Sequence, residues 1–159
     1  MHLTPEQKRY VAVETAIGIA IGVVLSAFFF WLVFGHDNRV LRRDLLLDAV
    51  PQSFMLTLMT VLVPTLITRK RVARGKITPI ARAAIRLPAN SLLRALMVAA
   101  LVIVPGVLAT AAFLILFGLD ELTFPAAIWF KMLYGALLAS IVAPIGLQAA
   151  LADVPPSNR

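Results

Sequence analysis

Two ionisable residues lie inside long apolar runs of the chain, where a charge is costly to bury. Glu14 and Lys131 each begin a series of small residues that recur at every fourth position. Ionisable side chains within membrane-spanning helices usually face protein or a water-filled path, and they are candidates for ion or proton transfer. Both lie near an end of their run, where a long side chain can extend to the head groups. The pattern therefore favours packing or anchoring, with an ion or proton relay as the alternative.

Each of these two residues requires an oppositely charged neighbour on its own face of the membrane. Lys131 lies near the start of its run, where a cation opposes the helix dipole at a cost of up to about 1 kcal/mol. It cannot pair with Glu14, because the two lie near opposite faces, roughly 25 Å apart at 1.5 Å per residue. The candidate partners are Asp37, Asp120 and Glu121 for Lys131, and Arg69, Lys70 and Arg94 for Glu14.

The small residues that follow these charges predict two helix-packing stripes. Residues four apart share one face of a helix, and glycine pairs at this spacing let two membrane helices approach closely. The candidate packing residues are Gly18, Gly22 and Ser26 in the first run, and Gly135, Ala139 and Ala143 in the fourth.

A third stripe, in the second run, carries hydroxyl groups and ends at a helix breaker. Its members are Ser53, Thr57, Thr60 and Pro64. Such a stripe could line a polar path, with the proline freeing a backbone carbonyl as a ligand. The second interpretation is hydrogen bonding between helices, which contributes roughly 0.6 kcal/mol per contact in a membrane. The sequence favours the second interpretation and leaves the polar path open.

The sequence offers little for catalysis or for cofactor and metal binding. It has no cysteine and two histidines, His2 and His36, which lie before and after the same apolar run and so on opposite faces. Adjacent residues such as His36 and Asp37 do not face each other on a regular element. No glycine-rich phosphate loop, nucleophile elbow or metal-binding helix motif is present. We therefore predict no enzyme, no catalytic residue, no cofactor and no metal.

The elements that position these residues are four apolar runs. Hydrophobic residues make up 60% of the 159 residues and charged ones 14%, far from the soluble norm. Each run approaches or exceeds the roughly 20 residues that a helix needs to cross a bilayer, and continuous apolar runs indicate helices. The runs span residues 10–34, 51–68, 95–118 and 125–151. We predict an all-α integral membrane four-helix bundle, with residues 1–159 forming a single transmembrane domain.

The beginning of the chain predicts a retained helix. Thr4, Pro5 and Gln7 have the pattern of a capping box with proline in the first turn. The first run is also too long for a signal peptide, and no small-residue cleavage site follows it.

A basic loop at residues 69–94 sets the expected orientation. It holds eight of the fifteen Lys and Arg residues and no acid, so the formal charge of +7 belongs to it. Cytoplasmic loops carry such an excess of cations, which places this loop and both termini in the cytoplasm. Anionic lipid head groups are the expected partner, and nucleic acid is not. The candidate head-group contacts are Arg69, Lys70, Arg71, Arg74, Lys76, Arg82 and Arg86.

Two loop segments predict short interfacial helices. Residues 79–87 begin with a cap-like Thr78 and Pro79, and residues 38–49 carry Arg39 and Arg43 at helical spacing. The second segment could instead run straight into the second span, which would leave Pro51 inside that helix.

The two halves of the chain also resemble each other. Gly22, Phe30 and Gly35 align with Gly106, Phe113 and Gly118, and Leu58, Thr60 and Pro64 then align with Leu138, Ser140 and Pro144. A duplicated helical hairpin would give parallel repeats related about the membrane normal. The common occurrence of these residue types leaves chance as the alternative.

These observations favour a non-enzymatic accessory, assembly or oligomerising membrane subunit. A homo-oligomer or a membrane complex would be its protein partner. The alternative is a small oligomeric transporter or channel with a polar path along the second span. Arginine outnumbers lysine eleven to four, which is typical of a GC-rich bacterial source and predicts the bacterial inner membrane.

Overall fold

Four long helices and two short strands make up the described part of the chain. The computed structural model describes residues 3–80, 83, 85 and 87–153. The elements are α1 (Pro5–Phe34), β1 (Arg39–Leu41), α2 (Arg42–Ala73), α3 (Ser91–Leu116), β2 (Glu121–Thr123) and α4 (Phe124–Ala152). All four helices are long and apolar enough to cross a membrane. The predicted helical class and the four candidate membrane-spanning helices are confirmed.

Local sequence signals mark where several helices begin and end. At the start of α1, Thr4 Oγ1 accepts a hydrogen bond from the Gln7 amide, and the Gln7 side chain accepts one from the Thr4 amide. Pro5 is the first helical residue, as the capping pattern predicts. After α2 and α3 the chain turns at Gly75 and Gly118, whose φ angles of 68° and 61° favour glycine.

The predicted interfacial helices are not separate elements. Residues 42–49 form the first turns of α2, which continues through Pro51, so the alternative in which this segment runs into the second span is confirmed. Residues 79, 80, 83, 85 and 87 are not helical, which is contrary to the helix predicted over 79–87. Two of the candidate head-group contacts in that segment, Arg82 and Arg86, lie outside the described residues.

The strands, which the sequence analysis did not anticipate, join the two loops at one end of the molecule. β1 and β2 pair antiparallel, with Val40 opposite Leu122 at the centre. Backbone bonds continue the pairing on both sides, because Arg42 N donates to Asp120 O at 2.8 Å and Phe124 N donates to Asn38 O at 3.1 Å. We call this the strand end, and the opposite end, which holds Leu3 and Asp153, the terminal end.

We call α1 with α2 the first hairpin, and α3 with α4 the second. The two helices of a hairpin contact each other little and pack mainly against helices of the other hairpin. α1 packs along α4, and α2 packs along both α3 and α4. Contacts between α1 and α2 are sparse, and α3 and α4 contact each other still less. The two hairpins are therefore splayed, and the strand pair ties their turns together. At the strand end, Phe30, Val40, Leu45, Leu114 and Ala127 form one buried apolar cluster.

The hydrogen bonds of the strand pair are symmetric about Val40 and Leu122, which lie 82 residues apart in the sequence. The bond from Arg42 N to Asp120 O is matched by the bond from Phe124 N to Asn38 O, so exchanging the two strands about the central pair relates residues 38, 40 and 42 to residues 120, 122 and 124. Burial in α2 and α4 follows the same register, with both members buried in the pairs Leu45 and Ala127, Ala49 and Lys131, Ser53 and Gly135, Thr57 and Ala139, Val61 and Ala143, and Thr65 and Leu147.

The register taken from the strand pair differs by two residues from the register of the sequence alignment. The alignment paired Thr60 with Ser140, but Thr60 is buried whereas Ser140 is exposed, and the residue 82 positions after Thr60 is the buried Val142.

Candidate functional site

The buried lysine of α4 is neutralised from α2. Lys131 is fully buried near the strand end, with its Nζ 2.8 Å from Asp48 Oδ2 and donating to Leu45 O at 3.1 Å. The predicted partners, the acids at positions 37, 120 and 121, are wrong. Asp48 was overlooked because its segment was treated as a loop helix; since α2 is continuous from Arg42, this acid lies on the helix that packs against α4. The sequence did contain a signal for this pair. Asp48 lies just before the second predicted span and Lys131 just after the start of the fourth, so the two residues could lie at a similar depth in the membrane.

The buried acid of α1 is paired at the terminal end. The Glu14 carboxylate contacts the Arg71 guanidinium, which also lies over the Tyr10 ring at 5.5 Å from its centroid. The hydroxyl of this tyrosine is 2.9 Å from Thr68 Oγ1. The predicted partners at positions 69, 70 and 94 are wrong. α2 extends to Ala73, beyond the predicted span, and this extension brings residue 71 to the face that meets α1.

A third ion-pair network at the terminal end joins three helices. Arg94 is fully buried in the first turn of α3, and its Nη2 donates to the Asp153 carboxylate at 2.6 and 2.8 Å and to Pro88 O at 2.8 Å. Arg69, from α2, donates to the same carboxylate at 3.0 Å and to Ser91 Oγ at 2.7 Å. Asp153, which ends α4, was not singled out from the sequence, because it follows the last apolar run.

The two small-residue stripes face each other between α1 and α4. All six predicted packing residues are buried. A Cβ at Gly22 would lie 3.4 Å from the Ala139 Cβ, and one at Gly18 would lie 3.7 Å from the Ala143 Cβ. A Cβ at Gly135 would collide with Ser26 Oγ and would lie 3.3 Å from Gly22 O. Among the glycines of the two stripes, position 135 therefore has the least space for a side chain.

Alanine substitution at the two stripes should separate close packing from helix propensity. Gly135→Ala should lower the free energy of unfolding by about 1–3 kcal/mol relative to Gly18→Ala, because only the first adds a methyl group to filled space. Both changes gain the same helix propensity, about 1 kcal/mol. Reversible unfolding in mixed detergent–SDS micelles, followed by circular dichroism, measures the difference. Adding Ser26→Ala should recover part of the loss, and equal stabilities for the two glycine variants would refute the close approach.

The hydroxyl stripe of α2 faces the interior of the molecule. Ser53, Thr57 and Thr60 are buried, whereas Pro64 is half-buried. The Ser53 hydroxyl contacts the Tyr134 hydroxyl and donates to Ala49 O. The Thr57 hydroxyl is buried and has no hydrogen-bond partner among the described residues. The stripe thus contributes one hydrogen bond between helices and one unpaired hydroxyl group.

The basic loop divides into inward-facing and exposed cations. Arg69 and Arg71 bind acids of the protein, as described above, and both are half-buried. Lys70, Arg74 and Lys76 are exposed and remain available for lipid head groups or an acidic partner. The arginines at positions 82 and 86 lie outside the described residues.

Histidine side chains and clusters of possible metal ligands are scarce in the described part of the chain. His36 is exposed in the turn after α1, and His2 lies outside the described residues. No three His, Asp or Glu side chains among the described residues cluster closely enough to hold a metal ion.

The four candidate spans and the buried ion pairs between them suggest an integral membrane protein. Comparison of the chain with family models, with curated proteins and with solved structures finds no match.

Proposed function

We propose that this protein is a non-enzymatic accessory or assembly subunit of the bacterial inner membrane. One observation supports this role above others, namely that the charges buried within its helices neutralise each other. Glu14 is paired with Arg71, Lys131 with Asp48, and Arg94 with Asp153. A charge that is paired and hydrogen-bonded within the protein holds helices together, whereas an ion or proton relay requires a charge that can exchange partners.

The proposed orientation places the terminal end in the cytoplasm. The exposed cations Lys70, Arg74 and Lys76 lie at that end, in keeping with the excess of basic residues in cytoplasmic loops. The strand end carries two exposed ion pairs, Arg39 with Glu121 and Arg42 with Asp120, and so presents little net charge.

The proposed architecture is a bundle of two duplicated hairpins. Both halves have the order helix, strand and helix, and the constant separation of 82 residues through the strands and the second helices supports duplication. Parallel repeats would place the axis relating them near the centre of the strand pair, where Val40 and Leu122 face each other.

The accessory role predicts a partner that binds the exposed cations at the terminal end. Gentle extraction from native membranes should recover a membrane protein, or further copies of this chain, in stoichiometric amount. Replacing Lys70, Arg74 and Lys76 together by alanine should lower the recovered partner severalfold, because charged contacts across an interface promote association. Arg43→Ala is the matched control, since this exposed arginine lies at the strand end. Crosslinking in the native membrane followed by mass spectrometry measures both.

Isolated monomers in every crosslinking condition would contradict the accessory role. The alternative, a small oligomeric transporter or channel, is favoured by one observation, the unpaired buried hydroxyl of Thr57. Solute flux into reconstituted vesicles that is abolished by Thr57→Val with Thr60→Val, in a variant that still folds, would support that alternative.

A further inference from the structure

A cleft between α1 and α2 distinguishes the first hairpin from the second. Its volume is about 310 Å³, near the lower limit of about 300 Å³ for small-molecule sites. The cleft exists because α1 and α2 contact each other only sparsely. Phe29, Met55 and Met59 line it and are also exposed on the outer surface of their helices. In a membrane, the cleft would therefore open towards the lipid.

In the second hairpin, aromatic rings occupy the equivalent positions. Asp48 and Gln52 line the cleft, and the residues 82 positions further on are Phe130 and Tyr134. Phe130 stacks on Phe113 of α3 with ring centroids 5.0 Å apart. The rings bridge α3 and α4 where the first hairpin has an open space with a polar edge. The first hairpin thus has a cleft at the positions where the second has aromatic rings.

The polar edge of the cleft offers hydrogen-bond acceptors. The side chain of Asp48 is 16% exposed, and among the described residues its carboxylate forms an ion pair only with the Lys131 ammonium. A carboxylate can accept about four hydrogen bonds, so acceptor capacity remains. Gln52 Oε1 is buried and has no partner within the described part of the chain. A ligand of this cleft should therefore carry hydrogen-bond donors at one end.

The dimensions of the cleft match one leaflet of a bilayer. Along α2 it extends from Asp48 to Met59, about 16 Å at 1.5 Å per residue, against about 15 Å for half of the hydrocarbon core. The 32 residues of α2 extend about 48 Å. If α2 is centred in the bilayer, each of its ends projects roughly 9 Å beyond the hydrocarbon core. Asp48, six residues from the helix start, then lies at the boundary between hydrocarbon and head groups.

We propose that this cleft binds one glycerophospholipid, with an acyl chain between α1 and α2 and a hydrogen-bond-donating head group at Asp48. The ammonium of phosphatidylethanolamine and the hydroxyls of phosphatidylglycerol both supply the donor, whereas phosphatidylcholine supplies none. The Lys131 ammonium offsets the carboxylate charge, so the site does not require a cationic lipid. The cleft would hold lipid whether or not a partner protein binds elsewhere.

Native mass spectrometry of the protein in mild detergent, titrated with each of the three lipids, tests the proposal. We expect one retained phosphatidylethanolamine or phosphatidylglycerol per chain, and binding of phosphatidylcholine about tenfold weaker because charge-assisted hydrogen bonds are lost. Met55→Trp, which fills the cleft, should weaken retention about tenfold or more. Leu137→Trp is the matched control, because it lies 82 residues further on and is also exposed, and it should retain the lipid.

A second variant tests the head-group contact separately from the acyl chain. Asp48→Asn combined with Lys131→Leu removes the carboxylate without leaving a buried lysine unpaired, and it should reduce the preference over phosphatidylcholine while chain binding persists. Stronger binding of one of the two donor lipids would identify the ammonium or the hydroxyl as the donor. Equal retention of all three lipids by the wild-type protein, no retained lipid, or unchanged retention in Met55→Trp would each overturn the proposal.

Discussion

Replacing Asp153 by alanine should lower the free energy of unfolding by about 3–5 kcal/mol. The change leaves the Arg94 guanidinium, which is fully buried, without its carboxylate, and an uncompensated buried charge costs about this much. The hydrogen bonds from Arg94 to Pro88 O remain and keep the loss from being larger. Reversible unfolding in mixed micelles with increasing SDS, followed by the helical circular dichroism signal, measures the loss.

Two further variants show whether the loss comes from the buried charge. Glu121→Ala breaks the exposed pair with Arg39 and should cost no more than about 1 kcal/mol. Replacing Arg94 and Asp153 together by leucine should restore most of the stability, because an apolar pair of similar volume often replaces a buried ion pair at little cost. If Asp153→Ala is no more destabilising than Glu121→Ala, the network contributes nothing to stability.

The second large effect is expected at the strand end. Asp48→Ala should also destabilise the protein by about 3–5 kcal/mol, since it leaves the fully buried Lys131 without a counter-charge. Leu45 O still accepts a hydrogen bond from the ammonium, but it does not neutralise the charge. The same unfolding measurement applies, in a detergent that supports the wild-type helix content.

Asp44→Ala is the matched control for this variant. Asp44 lies one turn earlier on α2, is half-buried, and has no ion pair among the described residues, so its loss should cost no more than about 1 kcal/mol, the contribution of an acid in the first turn of a helix. Adding Lys131→Leu to Asp48→Ala should recover most of the loss, because the buried charge is then absent. Persistent destabilisation in the double variant would assign the effect to packing and not to charge.

Of the three buried charges in the described part of the chain, those of Glu14 and Lys131 were recognised from the sequence and that of Arg94 was not, and the partners of the first two were not predicted. Glu14 and Lys131 are conspicuous because each interrupts an apolar run. The acid and the arginine that neutralise them, Asp48 and Arg71, lie in turns of α2 beyond the predicted span. Apolar composition marks the part of a helix within the hydrocarbon, whereas a helix continues as long as its backbone hydrogen bonds are satisfied. The predicted spans were therefore too short where the polar partners lie.

The strand pair was missed for a related reason. Three residues are too few to show the alternation that predicts a strand, and the pairing of β1 with β2 depends on two loops about 80 residues apart in sequence.

By itself, the sequence determined the class of the protein, the four helices and the faces that carry small residues. These follow from local physics, because the length of an apolar run and a repeat every fourth residue act within one helix. The tertiary structure alone decided which helices pack together, which charges pair and where the cleft lies. Glu14 and Lys131 acquire their partners, and the cleft its polar edge, only when α2 is placed beside both α1 and α4. Each of these features depends on distances between helices, and these distances cannot be derived from the sequence of any one helix.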